Sequence, residues 1–327
     1  MSKIKLVETF SGIGFQRRGV EIAGFEVDSV ATSETDINAI ISYAAIHCGL
    51  TNEMIDNYDQ YPSREDMATE LTEKNIGYNW EKNVAYNWQK KINSKSKDLE
   101  KVWLACKLSN NFGDICKIES FPQCDLLTYS SPCQNYSLAG NQEGAKIKCK
   151  DCGHEYDPLS YDVEDRYQCP HCGSTNITST RSGLLAEIER ILLNMSNNNC
   201  LPKFLLQENV DALVNKKFKP HFESWVARLD KLGYNTYWKV LNTKYCATPK
   251  YPTAQNRNRV FALSIRKDVD NNKFEFPLPF DCGIRLKNVL LPVDQVPEKF
   301  FVKNERADKL IEDLLREGKI DEHGNRM

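Results

Sequence analysis

A single cysteine, placed directly after a strand pattern, is the first residue that could do chemistry. Cys133 stands between Pro132 and Gln134 and follows the strand pattern 125–131. Ligands and reacting groups collect at the carboxyl ends of strands in an α/β sheet, so a thiol there is a candidate nucleophile. A free cysteine is also a common small buried hydrophobe, and the spacing alone leaves both interpretations open.

Polar side chains near two other strand ends could assist such a thiol. Glu208 follows the strand pattern 204–207, whose Leu205 and Leu206 are apolar, so its carboxylate is expected at the mouth of the sheet, as an acid or as the partner of a helix N-terminus. Gln255, Arg257 and Arg259 alternate just ahead of the last strand pattern. Alternate residues of an extended chain face one side, so the pattern predicts that these three side chains act together.

Glycines and a carboxylate early in the chain are typical of a nucleotide-like cofactor site. Phe10, Gly12 and Gly14 close the strand pattern 4–10, and glycines there allow a tight turn and a close approach to a cofactor. Glu34 lies 20 residues after Gly14, at the end of the second strand pattern, where a carboxylate can hold ribose hydroxyls. The glycines alone also have a purely structural explanation, and it is the combination with Glu34 that favours a cofactor.

Four of the twelve cysteines form two close pairs, Cys149-x2-Cys152 and Cys169-x2-Cys172. This spacing predicts a structural zinc site of four thiolates, and a glycine follows the second cysteine of each pair, as a turn around a metal requires. The chain begins without a secretion signal, so disulfides are not expected and zinc is preferred over free or redox thiols.

The charges around these cysteines are mixed, so we expect the zinc ribbon to serve as structural support or a protein contact rather than to grip phosphates. His154 and His171 are interpreted as bystanders. The basic residues there are Lys146, Lys148, Lys150 and Arg166, and the acidic ones are Asp151, Glu155, Asp157, Asp162, Glu164 and Asp165.

The segments that must position these residues alternate between strand and helix patterns. A β-turn-α-β-α beginning indicates an α/β fold with a parallel sheet. Residues 50–111 interrupt the alternation and are interpreted as a mainly helical insertion whose aromatic residues form a local core, although they could also stack on bases. The predicted strands are 4–10, 25–32, 125–131, 204–207, 236–243 and 259–265, and the aromatic residues are Tyr78, Trp80, Tyr86, Trp88 and Trp103.

The bulk properties narrow the class of protein. With 41% hydrophobic and 27% charged residues and no apolar run of membrane-spanning length, a cytoplasmic globular protein without a membrane partner is expected. The net charge of −2 gives none of the basic surplus common in compact nucleic-acid binders. Contacts with nucleic acid are therefore expected from local patches or from a partner.

Taken in order, the motifs resemble those of the C5-cytosine DNA methyltransferases. Phe-x-Gly-x-Gly, an acidic residue after the second strand, Gly-Asp-Ile at 113–115, Pro-Cys-Gln, Glu-Asn-Val and Gln-x-Arg-x-Arg occur in the family's order. The resemblance covers residues 4–48, 112–143 and 181–300. It implies a Rossmann-like sheet for S-adenosylmethionine-dependent methyl transfer, carrying a helical insertion and a zinc-ribbon insertion.

The resemblance also implies roles for single residues. Phe10 would stack on the adenine of S-adenosylmethionine, Glu34 would bind the ribose, and Asp114 would bind the adenine amino group. Cys133 would attack carbon 6 of a cytosine flipped out of the duplex, while Glu208 binds its N3 edge. The implied cofactor residues are Phe10, Gly12, Gly14, Glu34, Asp114, Ile115 and Leu184; the catalytic residues are Cys133, Glu208, Arg257 and Arg259; and the substrate contacts are Pro132, Gln134, Asn209 and Gln255.

Residues 293–327 lack the family's DNA-reading region and its last motifs. We therefore expect double-stranded DNA and a second polypeptide as partners, with truncation or decay as the alternative explanations. Two rival functions stay open: an RNA cytosine methyltransferase, disfavoured because its Cys-Phe-Thr signature is absent, and a non-catalytic zinc-ribbon scaffold. The predicted boundaries are 1–49, 112–148 and 173–292 for the catalytic domain, 50–111 for the helical insertion, 149–172 for the ribbon and 293–327 for the start of the DNA-reading region.

Overall fold

The computed structural model describes residues 3–79, 84–130, 146–162, 164–178, 184–246, 250–251, 253–301 and 304–321. The strands are β1 (Ile4–Thr9), β2 (Val27–Ser33), β3 (Leu126–Tyr129), β4 (Ile147–Cys149), β5 (Glu155–Tyr156), β6 (Ile177–Thr178), β7 (Phe204–Val210), β8 (Tyr234–Asn242) and β9 (Asn258–Arg266). The helices are α1 (Phe15–Ile22), α2 (Ile37–His47), α3 (Asn52–Asn57), α4 (Arg64–Glu73), α5 (Asp98–Leu108), α6 (Leu185–Asn197), α7 (Lys219–Lys231), α8 (Thr243–Cys246) and α9 (Glu305–Arg316).

A six-stranded sheet in the order β2-β1-β3-β7-β9-β8 carries the site. The first four strands are mutually parallel, and β9 runs antiparallel to both β7 and β8. The carboxyl ends of β1, β2, β3 and β7 therefore meet at one edge, and β9 begins there. This is the edge at which open α/β sheets bind ligands. The predicted α/β sheet is confirmed.

The main core lies between the sheet and helices α6 and α7. Leu127 and Leu205 on neighbouring strands are fully buried and pack in one cluster with Ile188 and Leu192 of α6 and Trp225 of α7. Burying an aliphatic or aromatic side chain of this size stabilises the fold by roughly 1.5–3 kcal/mol. The core thus fixes the strands whose ends form the site.

The insertion between β2 and β3 has its own core. Helix α5 packs against α2, and α3 and α4 pack against α5. Trp88 and Trp103 are buried in this core, 1% and 6% exposed. Trp88 Nε1 donates to the carbonyl oxygen of Ile76 at 2.9 Å. These two indoles are core residues, as preferred from the sequence, whereas Trp80 lies outside the described residues.

Strands β5, β4 and β6 form a separate three-stranded antiparallel sheet around the paired cysteines. Beyond β9 the described chain consists of loops and single 3-10 turns up to α9, which has no buried residue. None of the described helices is long and apolar enough to span a membrane.

Candidate functional site

A cleft of about 550 Å³ opens at the carboxyl edge of the sheet, beside β1 and β2. This volume lies within the roughly 300–1,000 Å³ of small-molecule sites. Five of the seven residues predicted to bind a cofactor line it: Phe10, Glu34, Asp114, Ile115 and Leu184. They come from four separate parts of the chain, and the fold brings these four segments together around one cleft.

The Glu34 carboxylate is oriented by backbone amides. Its Oε2 accepts from the amide of Gly12 at 3.0 Å, and its Oε1 accepts from the amides of Thr35 at 2.8 Å and Asp36 at 2.9 Å. Three such bonds hold the carboxylate in one position and tie the glycine turn after β1 to the end of β2. The side chain is thereby preorganised to receive hydroxyl donors.

The turn between β1 and α1 requires glycine at position 14. Gly14 has a φ of 84°, and a Cβ built on it would lie 2.4 Å from His47 Nε2 and 2.8 Å from Tyr43 Cε2. A side chain at this position would have to displace both rings of α2 and would also strain the backbone. Gly12 and Gly14 therefore shape the cleft rather than line it.

Phe10 is held in a backbone conformation that bulky residues avoid. Its φ is 53°, in the left-handed region, while its partly buried ring packs against the main core. Such a conformation costs on the order of 1–3 kcal/mol and persists where the surroundings enforce it, often at ligand sites. Here it places the ring on the wall of the cleft.

A buried carboxylate beneath the turn was missed by the sequence analysis. Glu8 is fully buried on β1 and accepts hydrogen bonds from the Tyr43 hydroxyl and from the Arg17 amide at 2.9 Å. Burial raises the pKa of Glu8. The side chain anchors the first turn of α1 to α2, and only its position next to the apolar pair Leu6 and Val7 of β1 could have indicated it.

Asn111 is a second residue that the motifs did not indicate. It is 2% exposed; its Oδ1 accepts from the amides of Glu34 at 3.1 Å and Gly113 at 3.0 Å, and its Nδ2 donates to the Glu34 carbonyl at 3.0 Å. One amide side chain thus joins the two segments that carry Glu34 and Asp114. Glu34 and Asn111 are 77 residues apart in sequence, so no local sequence pattern reveals that they are hydrogen-bonded.

The helical insertion also reaches the cleft. Gly77, Tyr78 and Asn79 line it together with the motif residues. Tyr78 therefore lies where the insertion borders the cleft, in contrast to the buried Trp88 and Trp103. Nothing in the composition of 50–111 predicted this contribution.

On the side of the predicted target base, Arg259 Nε lies 3.1 Å from Glu208 Oε1, and both side chains are partly exposed. Asn209 is buried, and its Oδ1 accepts from the amide of Val210 at 2.8 Å. Glu208 and Arg259 are thus adjacent at the carboxyl edge of β7.

Gln255 and Arg257 are exposed in the segment ahead of β9. Within the described residues, the backbone makes the hydrogen bonds of both: the Gln255 amide donates to Thr253 Oγ1, and the Arg257 carbonyl oxygen accepts from the amide and the hydroxyl of Thr243. The structure thus brings Arg259, but neither of these two side chains, into contact with Glu208.

The predicted nucleophile itself, Cys133, lies outside the described residues, together with Pro132 and Gln134. The described chain leads to it at Ser130, whose Oγ accepts from Gln16 Nε2 at 3.1 Å. Ser130, the last described residue before Cys133, is therefore attached to α1, the helix that follows the glycine turn after β1.

The paired cysteines come together as a candidate metal centre. The sulfurs of Cys149, Cys152, Cys169 and Cys172 all lie within 4.8 Å of one another, with two separations of 3.6 Å. A tetrahedral zinc with Zn–S bonds of about 2.3 Å needs sulfurs about 3.8 Å apart, so the donor set fits zinc. A backbone hydrogen bond from Cys152 lowers the pKa of the Cys149 thiol to about 7.

Both halves of this centre have the same backbone geometry. In each half the amide of the glycine donates back to the first cysteine: Gly153 to Cys149 at 3.0 Å and Gly173 to Cys169 at 2.8 Å. These turns aim the sulfurs inward. The four-cysteine group contains neither of the neighbouring histidines.

The ribbon is attached to the main domain by buried charges. Arg166 is fully buried; it donates to Glu189 Oε2 at 2.7 Å and to the Ala186 carbonyl at 3.1 Å. Arg228 of α7 donates to the other Glu189 oxygen at 2.8 Å, and Asp157 pairs with His221 at 2.8 Å. Arg166, whose residue type predicts one of the exposed cations of the ribbon, is therefore an internal attachment to α6.

The sequence matches the family profile described as C-5 cytosine-specific DNA methylase over residues 74–155 and 171–326. The type II methyltransferase M2.ScrFI of Lactococcus lactis subsp. cremoris is 31% identical over 316 residues, 95% of this chain and 74% of that protein. The orphan methyltransferase M.SssI of Spiroplasma monobiae is 34% identical over 308 residues, 92% and 68% of the two chains. Among solved structures, a Spodoptera frugiperda DNMT2 variant aligns with 94% of this chain and 65% of its own, with 18% identity and a TM-score of 0.46.

Proposed function

The chain belongs to the C-5 cytosine-specific DNA methylase family, and on that premise we propose that it methylates a flipped-out cytosine through a covalent adduct with Cys133. The observation that carries the proposal is the edge of one sheet that holds both the cleft with Phe10, Glu34 and Asp114 and the Glu208–Arg259 pair. When bound in the cleft, S-adenosylmethionine supplies the methyl group from its sulfonium.

The residues of this chain divide the work at the base. The Cys133 thiolate bonds to carbon 6, and the electrons of the carbon 5–carbon 6 double bond move into the ring, where Glu208 protonates N3. Carbon 5 then bonds to the methyl group, whose bond to sulfur breaks with its electron pair. Loss of the carbon 5 proton to solvent, return of the N3 proton to Glu208 and departure of the thiolate restore the aromatic base. Arg259 orients Glu208 throughout.

Covalent trapping tests this sequence of steps. Fluorine at carbon 5 cannot leave as a proton, so the final elimination is blocked and the adduct persists. Duplex DNA synthesised on a bacterial genomic template with 5-fluorodeoxycytidine in place of deoxycytidine should therefore become covalently linked to the wild-type chain when S-adenosylmethionine is present. Cys133→Ser should abolish the adduct, whereas Cys106→Ser, which changes a buried thiol in the helical insertion, should retain it. Absence of any adduct, even after the second polypeptide proposed below is added, or transfer to RNA alone, would contradict the proposal.

We propose that the four-cysteine centre holds a structural zinc ion, because its donor set and sulfur separations suit tetrahedral zinc. We assign residues 149–172 to this ribbon, 50–111 to the helical insertion, and 1–49, 112–148 and 173–292 to the catalytic domain. Metal analysis of the purified chain should find about one zinc per chain, and Cys149→Ser should lose it and lower activity. Cys106→Ser serves as the matched control, and a metal-free wild-type chain of normal activity would contradict the assignment.

We also propose that a second polypeptide covers α9 and takes part in recognising the DNA sequence. In this proposal residues 293–327, which include α9, are the start of the DNA-reading region. Leu310, Ile311 and Leu315 of this helix are 59%, 50% and 41% exposed, an apolar stripe opposite charged residues. Exposed apolar stripes of this kind mark contact surfaces. After co-expression with the products of adjacent genes, light scattering should detect a complex that Leu310→Glu disrupts. A monomer of this chain that methylates DNA as fast alone as it does in the co-expressed complex would contradict the proposal of a second polypeptide.

A further inference from the structure

Asn75 lies in the helical insertion, outside every motif that resembles the family. Its Nδ2 donates to Asp114 Oδ2 at 2.7 Å, while Asp114 Oδ1 accepts from the amide of Cys116 at 3.0 Å. Asp114 is 4% exposed, so a hydrogen bond to this carboxylate is sheltered from water. The two bonds fix the two carboxylate oxygens separately, and one of them comes from the insertion.

The insertion is also held to this place by its backbone. The amide of Asp114 donates to the Lys74 carbonyl at 2.9 Å. A Cβ on Gly113, whose φ is 81°, would lie 2.2 Å from the same oxygen, so glycine is what permits this approach. The end of α4 and the loop that carries Asp114 are therefore in direct contact.

The residues that follow Asn75 continue along the cleft. The amide of Gly77 donates to the carbonyl of Thr35, next to Glu34, at 2.7 Å. Residues 77–79 then line the cleft. The segment 74–79 thus joins the residue expected to meet the adenine with the segment expected to meet the ribose.

From these contacts we infer that Asn75 is a positioning residue for the cofactor: its amide holds the Asp114 carboxylate so that a remaining lone pair receives the 6-amino group of adenine. This inference rests on the proposed function, because it requires a 6-aminopurine nucleoside in the cleft. It adds a determinant of cofactor specificity that the insertion, rather than the sheet, supplies.

The backbone at Asn75 dictates which substitutions are informative. Its φ is 57°, which glycine adopts without strain and which aspartate tolerates better than most residues. Asn75→Gly removes the donor alone, and Asn75→Asp places a second carboxylate against Asp114. Asn110→Gly is the matched control, since Asn110 also has a left-handed φ, 48°, and its Nδ2 donates to the Ser29 carbonyl at 3.1 Å, away from the cleft.

Calorimetric titration of the full chain with S-adenosylhomocysteine, and with its analogue lacking the 6-amino group, tests the inference. Asn75→Gly should bind S-adenosylhomocysteine about tenfold more weakly and Asn75→Asp more weakly still, as expected for losing a hydrogen bond to a charged group. Both should bind the analogue as the wild type does, and Asn110→Gly should match the wild type for both ligands.

Two results would overturn the inference: unchanged binding of S-adenosylhomocysteine by both Asn75 variants, or an equal loss for both ligands, which a merely structural role would give. Failure of the wild-type chain to bind S-adenosylhomocysteine at all would instead overturn the proposed function, and the inference with it.

Discussion

Arg259 of β9 reaches diagonally across the sheet to Glu208 of β7, with 3.1 Å between Nε and Oε1. The strand register sets Arg259 opposite Val210, two residues beyond Glu208, so both side chains project from the same face. The guanidinium therefore orients the carboxylate that is proposed to act on cytosine N3.

Removing the acid should slow the chemistry without unfolding the protein. Glu208→Gln keeps the shape of the side chain but cannot protonate N3, and we expect single-turnover methyl transfer to fall by about 10²- to 10⁴-fold. Arg259→Lys should fall less, because it keeps the charge but loses the planar donor group. Arg266→Lys, at the other end of β9 beside Asp268, is the control. A Glu208→Gln enzyme with the wild-type rate would exclude the assigned role.

Loss of the Asn111 side chain should weaken both stability and cofactor binding. Asn111→Ala removes the partner of the buried Gly113 amide and of the partly exposed amide and carbonyl of Glu34. A buried unsatisfied group costs about 1–3 kcal/mol, and the partly exposed groups cost less because water can replace the lost partner. We expect the free energy of unfolding in urea to drop by about 2–4 kcal/mol, with weaker binding of S-adenosylhomocysteine. Asn110→Gly, on the exposed neighbour, should change neither quantity, and equal effects of the two would contradict this reasoning.

The sheet and the residues at its edge were predictable because their signals are local. Short strand patterns ending in glycine, a carboxylate or Pro-Cys-Gln predicted the sheet edge. Phe10 and Glu34, predicted from these patterns, line one cleft with Asp114, which only the resemblance to the family indicated. The paired cysteines were predictable for the same reason, since two CxxC turns determine most of the geometry around a metal.

Contacts between distant segments could not be predicted in this way. Asn75 meets Asp114 across 39 positions, and no periodicity in a helical insertion marks one asparagine as different from its neighbours. Arg166 has the composition of a surface cation, and only folding places it against Glu189, 23 residues later. Hydrogen bonds of this kind follow from tertiary packing, which residue types and spacing do not contain.

The imidazole of His47 should make the free energy of unfolding depend on pH in the acidic range. Burial, together with the nearby Arg17 guanidinium, lowers the pKa of His47 below 6.5. Its contribution is fully present above the unfolded-state pKa and is lost as the pH falls through the folded-state pKa, because the unfolded chain binds the proton first. As the pH falls below 6.5, the free energy of urea unfolding should decrease more steeply for the wild type than for His47→Gln. Parallel slopes would contradict it.

The attachment of the ribbon should depend on the carboxylate of Glu189. This side chain, 6% exposed, lies between the guanidinium groups of Arg166 and Arg228, so Glu189→Gln leaves one buried and one partly buried cation sharing a neutral partner. Breaking a buried pair costs about 3–5 kcal/mol, so we expect a loss of that size in urea unfolding and faster release of zinc to a chelator. Lys203→Met breaks the more exposed Lys203–Asp125 pair and should cost at most about 1 kcal/mol. If the two variants were equally stable, the buried charges would not be what holds the ribbon on α6 and α7.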